Sequence, residues 1–155
     1  MIVRLRPIIF LLILFPLASC AAFPSFTLDA PPDGSAELEK AKTLFEEGKY
    51  GEAASLYRKL SKSGQKNIAE TAQFQIGRTL AFYKNPKRDY PEALIEFQIF
   101  VKRFPQSQIR EDASNWVFIL DQYLTKKTEN DKLKEDIRKL VDIDIEVEKK
   151  QRGIK

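Results

Sequence analysis

Two strings forty residues apart constrain this chain more than any other feature of it. They are Gly48-Lys49-Tyr50-Gly51-Glu52-Ala53-Ala54-Ser55-Leu56-Tyr57 and Arg88-Asp89-Tyr90-Pro91-Glu92-Ala93-Leu94-Ile95-Glu96-Phe97. Both carry a Tyr, then Glu-Ala, then an aromatic four residues beyond the Ala. Self-similarity at a period of roughly 20–50 residues marks stacked supersecondary units, none of which buries its apolar face alone. The apolar spacing says which kind of unit. Leu38, Ala41 and Phe45, then Ala53, Leu56, Tyr57 and Leu60, recur at three and four residues, the period of a helix. The expected fold class is therefore all-α.

Turn chemistry divides the helical zone, which is read as 36–124. Gly48-Lys49-Tyr50-Gly51 separates the first two helices, and Lys62-Ser63-Gly64-Gln65 closes the second. Asn67 with Glu70 three residues on matches a capping box opening a third helix, which runs to about Tyr83. A loop over 84–89 follows, with Pro91 at a first helical position. The fourth helix runs from Pro91 to Arg103. Pro105 prevents its continuation, and Ser107 or Gln108 opens a fifth.

The paired strings resemble the tetratricopeptide repeat. The first unit supplies Ala41, Tyr50, Ala53 and Tyr57; the second supplies Gly77, Tyr90, Ala93, Phe97 and Pro105. Small residues let paired helices approach closely, and aromatics fill the space beside them. The first unit lacks the Trp and the terminal Pro of the repeat pattern, and the second has about four extra residues in its internal loop. A third unit is represented only by 108–124, with Trp116, Phe118 and Leu120, which matches a capping helix. The expected architecture is a short tetratricopeptide-like α-solenoid of two repeats plus a cap; a generic helical bundle with a coincidental echo is the alternative. Phe100-Val101-Lys102-Arg103-Phe104-Pro105-Gln106-Ser107 is similar to the F-x-x-x-F/Y-P-x-S junctions of bacterial envelope proteins of this class. The resemblance implies a groove lined by the first helix of each pair, here Lys42, Phe45, Phe74, Arg78, Phe82 and Trp116. The same aromatics read equally as core between repeats.

The chain begins with a targeting pattern. Arg4 and Arg6 are the only charges before Asp29, and an apolar run from Ile8 to Phe15 follows them. That run is short for a bilayer span, which needs roughly 20 residues. Leu17-Ala18-Ser19-Cys20 resembles a bacterial lipobox, which implies removal of 1–19 and lipidation of Cys20, the only cysteine. Ala21 after it leans toward the outer membrane, with the protein facing the periplasm. An uncleaved anchor and a periplasmic protein with a chance cysteine are the alternatives. Residues 20–35, with Pro24, Pro31, Pro32 and Gly34, are expected to form a tether reaching about 50 Å when fully extended. Phe23, Phe26 and Leu28 read alternatively as residues docked on the domain or the membrane surface.

The segment 125–155 is charged and has no proline. Leu133, Leu140, Val147 and Ile154 recur every seven residues, with Ile137 between the first two and Asn130, Asp144 and Gln151 at the equivalent places. This is an imperfect coiled-coil seam, suited to weak self-association or to pairing with another envelope helix, or simply a solvated extension of the last helix. Glu135 with Lys139 and Glu146 with Lys150 are favourable i,i+4 pairs.

Composition excludes several classes of function. The net charge of +4 falls to +2 once Arg4 and Arg6 are removed, leaving twenty-four basic residues against twenty-two acidic ones. Such a balance signals no nucleic-acid surface. There is no histidine, and a lipidated Cys20 leaves no thiol. No catalytic constellation, metal or cofactor is expected, and Asp142, Asp144, Glu146 and Glu148 read as a solvated face. The whole pattern resembles the outer-membrane assembly lipoprotein family BamD/YfiO, which implies a membrane-anchored, periplasmic interaction scaffold associated with β-barrel assembly. Alternatives are an accessory to an envelope sensor kinase, as in small lipoproteins of the QseG type, and a helper of cell-envelope or peptidoglycan machinery.

Overall fold

The computed structural model describes residues 34–153. The signal segment, Cys20, most of the tether and Ile154 lie outside the described residues. Five helices and no strand make up the described part: α1 (Ser35–Glu46), α2 (Tyr50–Leu60), α3 (Lys66–Ala81), α4 (Tyr90–Arg103) and α5 (Arg110–Gln151). Each packs on its neighbour in sequence, and α1 also touches α3.

Local chemistry fixes the turns. Gly48, at φ 78, ends α1. Its N–H donates to the Phe45 carbonyl at 3.0 Å, while the Lys49 N–H reaches back to Leu44 at 2.8 Å. This pair of bonds is a Schellman motif, and the left-handed residue it needs is the reason for glycine there. At the end of α3 the loop repays the unsatisfied carbonyls. The buried Asn85 donates from Nδ2 to the Thr79 carbonyl at 2.9 Å, and the Asp89 N–H donates to Leu80 at 3.0 Å. Asp89 then caps α4, accepting from the Glu92 N–H at 2.9 Å.

Two starts differ from the sequence expectation. α3 opens at Lys66 with Gln65 as its cap residue and no side-chain cap bond. Asn67 is thus already inside the first turn, and the expected capping box with Glu70 does not form. Glu70 instead accepts from the Ser107 hydroxyl at 2.6 Å, tying α3 to the turn before α5. That same Ser107 oxygen accepts from the Ile109 N–H at 3.1 Å, so the residue expected to open α5 organises the turn and the helix begins at Arg110.

Each helix contributes one alanine with no exposure at all: Ala41, Ala53, Ala72, Ala93 and Ala113. A methyl side chain at each crossing permits close approach, and large residues fill the space beside it. The two echoed strings behave alike. Tyr50 and Tyr90 begin α2 and α4, Ala53 and Ala93 are fully buried, and Tyr57 and Phe97 are buried too. A polar network crosses the same region. Gln73, buried on α3, donates to Glu96 Oε2 at 2.6 Å, and Arg58 on α2 pairs with Glu92 and approaches Glu96 on α4.

α5 is one unbroken helix through the expected boundary at 124. From Thr125 onward every described residue is exposed, so about 40 Å of helix has no packing partner among the described residues. Ion pairs decorate it: Lys127 with Asp131, Glu135 with Lys139 and Glu148 with Arg152, each at 2.7 Å. The expected Glu146–Lys150 pair is not formed. Among the described residues no helix is long and apolar enough to cross a membrane.

Among the described glycines the closest packing is at Gly77. A Cβ there would lie 2.8–2.9 Å from three carbons of the Phe97 ring, which is itself fully buried. Gly77→Ala is expected to destabilise the protein by about 1–3 kcal/mol through this overlap. At Gly51, on α2, nothing lies within 4 Å of an added Cβ. Gly51→Ala should be neutral or stabilising by up to about 1 kcal/mol. Urea-unfolding midpoints of the two variants check the contrast.

Candidate partner-binding groove

Arg78 sits where two aromatic groups meet. On one side are Phe45, Tyr50 and Phe82, with ring centroids 4.8–5.6 Å apart and the Arg78 guanidinium carbon 6.0 Å from the Phe45 centroid. On the other side Arg78 joins Phe74, Asp112, Asn115, Trp116 and Ile119 around an open pocket of about 260 Å³. The helical period accounts for this convergence. Phe74 and Arg78 are four apart on α3; Asp112, Trp116 and Ile119 are four and three apart on α5.

The walls are held by the core. The Trp116 ring lies parallel to Phe97, 5.5 Å away at 4°, and Phe74 meets Phe97 and Phe100 edge-on at 5.4 and 5.6 Å. Phe74 and Trp116 are therefore both core residues and pocket walls, half-buried in each role. Ile119 is 55% exposed at the rim, a large apolar side chain with an open face.

The charges on the rim form no ion pair among the described residues. Arg78 Nη1 donates to Gln75 Oε1 at 3.1 Å, and no carboxylate among the described residues forms an ion pair with it. Asp112 adds a carboxylate to the same rim, also without an ion-pair partner among the described residues. The pocket thus offers an apolar wall with one donor-rich cation and one acceptor.

The six sequence-derived residues do not form a single surface. Phe74, Arg78 and Trp116 line the pocket. Phe45 and Phe82 belong to the neighbouring aromatic group, where Arg78 provides the link. Lys42 is turned along its own helix to Glu39 at 3.1 Å; that hydrogen bond, and the charges of Glu39 and Glu46, raise its pKa. Asp112, Asn115 and Ile119 were not anticipated; their signal was the spacing around Trp116. A second depression, about 390 Å³, lies between the start of α4 and α5, beside Tyr90 and Tyr123, whose rings are 5.1 Å apart. It is the larger and has an apolar side of its own in Tyr90, Pro91, Tyr123 and Leu124, but its charges are engaged: Lys127 pairs with Asp131 and Asp89 caps α4. Among the described residues no group of His, Cys, Asp and Glu is placed to hold a metal ion.

Comparison of the chain with protein-family models, with curated proteins and with solved structures gives no match.

Tyr57 reports on this region through its acidity. Burial pushes its hydroxyl above the ordinary tyrosine range, and the positive charge of Arg78 pulls the other way. Because the folded value is raised, the associated stability is complete below about pH 10 and is lost as pH rises through the folded value. Tyr57→Phe is expected to remove this alkaline loss, and Arg78→Gln to push the hydroxyl higher still. Tyrosinate absorbance against pH, with unfolding midpoints over the same range, measures both.

Proposed function

We propose that this chain is a lipid-anchored scaffold that holds a segment of another envelope protein between α3 and α5. The observation that carries this reading is the pocket itself, in which Phe74, Trp116 and Ile119 converge beside Arg78, which pairs with no carboxylate among the described residues. Aromatic and arginine side chains in a partly desolvated cleft are the groups that dominate binding energy at interfaces. The segment that fits has an apolar anchor and a nearby carboxylate for Arg78, in an extended or helical conformation.

The wider reading has three parts. The α1–α5 stack is a short tetratricopeptide-like solenoid, supported by the matching placement of Tyr50 and Tyr90, Ala53 and Ala93, and Tyr57 and Phe97. The anchor is Cys20, supported by the Arg4/Arg6, apolar-run and Leu-Ala-Ser-Cys order. Several acyl chains, at about 0.8 kcal/mol per buried CH₂, would hold it permanently at the membrane. Its place is the periplasmic face of the outer membrane and its role is in β-barrel assembly, a binding role rather than catalysis. A second reading, contact with an envelope sensor kinase, is favoured by one observation: Leu133, Ile137 and Leu140 are exposed along α5 at helical spacing.

Affinity purification of the intact lipidated protein, followed by mass spectrometry, separates the two. Recovery of a β-barrel insertase supports the first and recovery of a histidine kinase the second. Arg78→Glu should reduce recovery of the pocket's partner roughly tenfold or more, in the range of an interface hot spot, while leaving the fold intact. Cys20→Ala should move the protein from the membrane to the soluble fraction; retention at the membrane would refute the anchor.

A further inference from the structure

The exposed length of α5 carries one apolar stripe. Leu133, Ile137, Leu140 and Val147 share a face of the helix, with Ile143 at its edge, and all five are exposed. Asn130, Asp144 and Gln151 complete the same face at the heptad positions between them. At about 100° per residue, the stripe points roughly 140° away from Ala113, Trp116 and Leu120, which seat the helix on the core. It therefore faces away from the folded domain.

We propose that the stripe binds a second copy of this chain, the two helices lying antiparallel with Ile137 of each level with Leu140 of the other. Charge selects this orientation. A parallel pair brings Asp144 against Asp144 inside the seam, like charge on like charge. The antiparallel pair sets each Asp144 level with Leu133 of the other copy and beside that copy's Lys134. On the flanks Lys127 meets Glu148 and Glu129 meets Lys150, and twofold symmetry forms every pair twice. Lys134, Asp144 and Lys150 form no ion pair among the described residues, so the helix leaves them available for a partner. Lys127, Glu129 and Glu148 also pair along their own helix, with Asp131, Lys126 and Arg152.

The length of the exposed helix agrees with this register. It runs from Thr125 to Gln151, with its middle at Arg138, and the pairing is centred between Arg138 and Lys139. The end of each helix then comes level with Lys126 of the other, about where that helix leaves the core, so the contact is nearly 40 Å long at about 1.5 Å per residue. Sliding the pair one heptad toward the N-terminus sets Lys134 against Lys134 and carries each helix end back to Ile119, beside the domain. Sliding it one heptad the other way leaves 125–132 uncovered and puts Val141, rather than a lysine, beside Asp144. This inference does not depend on the pocket between α3 and α5, and it gives the α5 face to a second copy rather than to a sensor kinase.

The test is sedimentation equilibrium of the full chain in a mild non-ionic detergent, over a range of protein concentrations. A monomer–dimer equilibrium is expected. Lys134→Glu and Asp144→Lys should each weaken the dimer about tenfold, because each change occurs twice in it and turns attraction into repulsion. The double variant Lys134→Glu/Asp144→Lys rebuilds the pairs with the charges exchanged and should return to within about threefold of the parent. The two positions are about 15 Å apart along one helix, so recovery arises only between copies. Both side chains are exposed, and circular dichroism of each variant checks that the helices persist. Three results would overturn the proposal: a chain that stays monomeric throughout, single variants that dimerise as the parent does, or a double variant no stronger than the single ones.

Discussion

The contact between the Phe97 ring and Gly77 is the one on which the rest of this structure depends. The ring has no exposure, it occupies the place where any Cβ at position 77 would stand, and it carries Trp116 on one side and Phe74 at its edge. Three helices meet on that one side chain. Glycine inside a helix costs roughly 0.5–1 kcal/mol relative to alanine. The cost is offset because the missing side chain lets α4 close on α3, and the buried ring then gives α5 its seat. Without the close approach there is no parallel stacking for Trp116, and without that stacking the wall of the pocket is not held.

The same packing explains why α5 has two characters. Its first third is fixed by Ala113, Trp116 and Leu120 against the core, and its side chains on one flank form the pocket rim. From Thr125 onward it has no neighbour among the described residues. There the helix is sustained by i,i+3 and i,i+4 ion pairs, each worth only a few tenths of a kcal/mol, so its apolar residues remain available. A packed segment and an exposed one thus come from one helix, separated at about Leu124.

Much of the fold was legible because helical period and turn chemistry are local. Gly48, Asn85 to Asp89 and Pro105 punctuate the chain where the helices end. Starts were less legible where a side chain found a distant partner: Glu70 has the spacing of a capping box with Asn67, yet its carboxylate is taken by Ser107, thirty-seven residues away. Asp89 followed by Glu92 carried a cap signal that the nearby proline obscured. The pocket was half legible. Phe74, Arg78 and Trp116 follow from the repeat pattern, but Ile119 and Asp112 join them only because α3 and α5 come together over Phe97, a juxtaposition no local string specifies.

Site-specific photocrosslinking in intact cells tests the central claim most directly. Probes at Asn115 and Ile119, on the pocket rim, are compared with probes at Ser55 and Lys59, which are exposed on α2. The pocket account predicts a discrete protein adduct from both rim positions and none from α2. Adducts from Ser55 and Lys59, with none from Asn115 and Ile119, would contradict it.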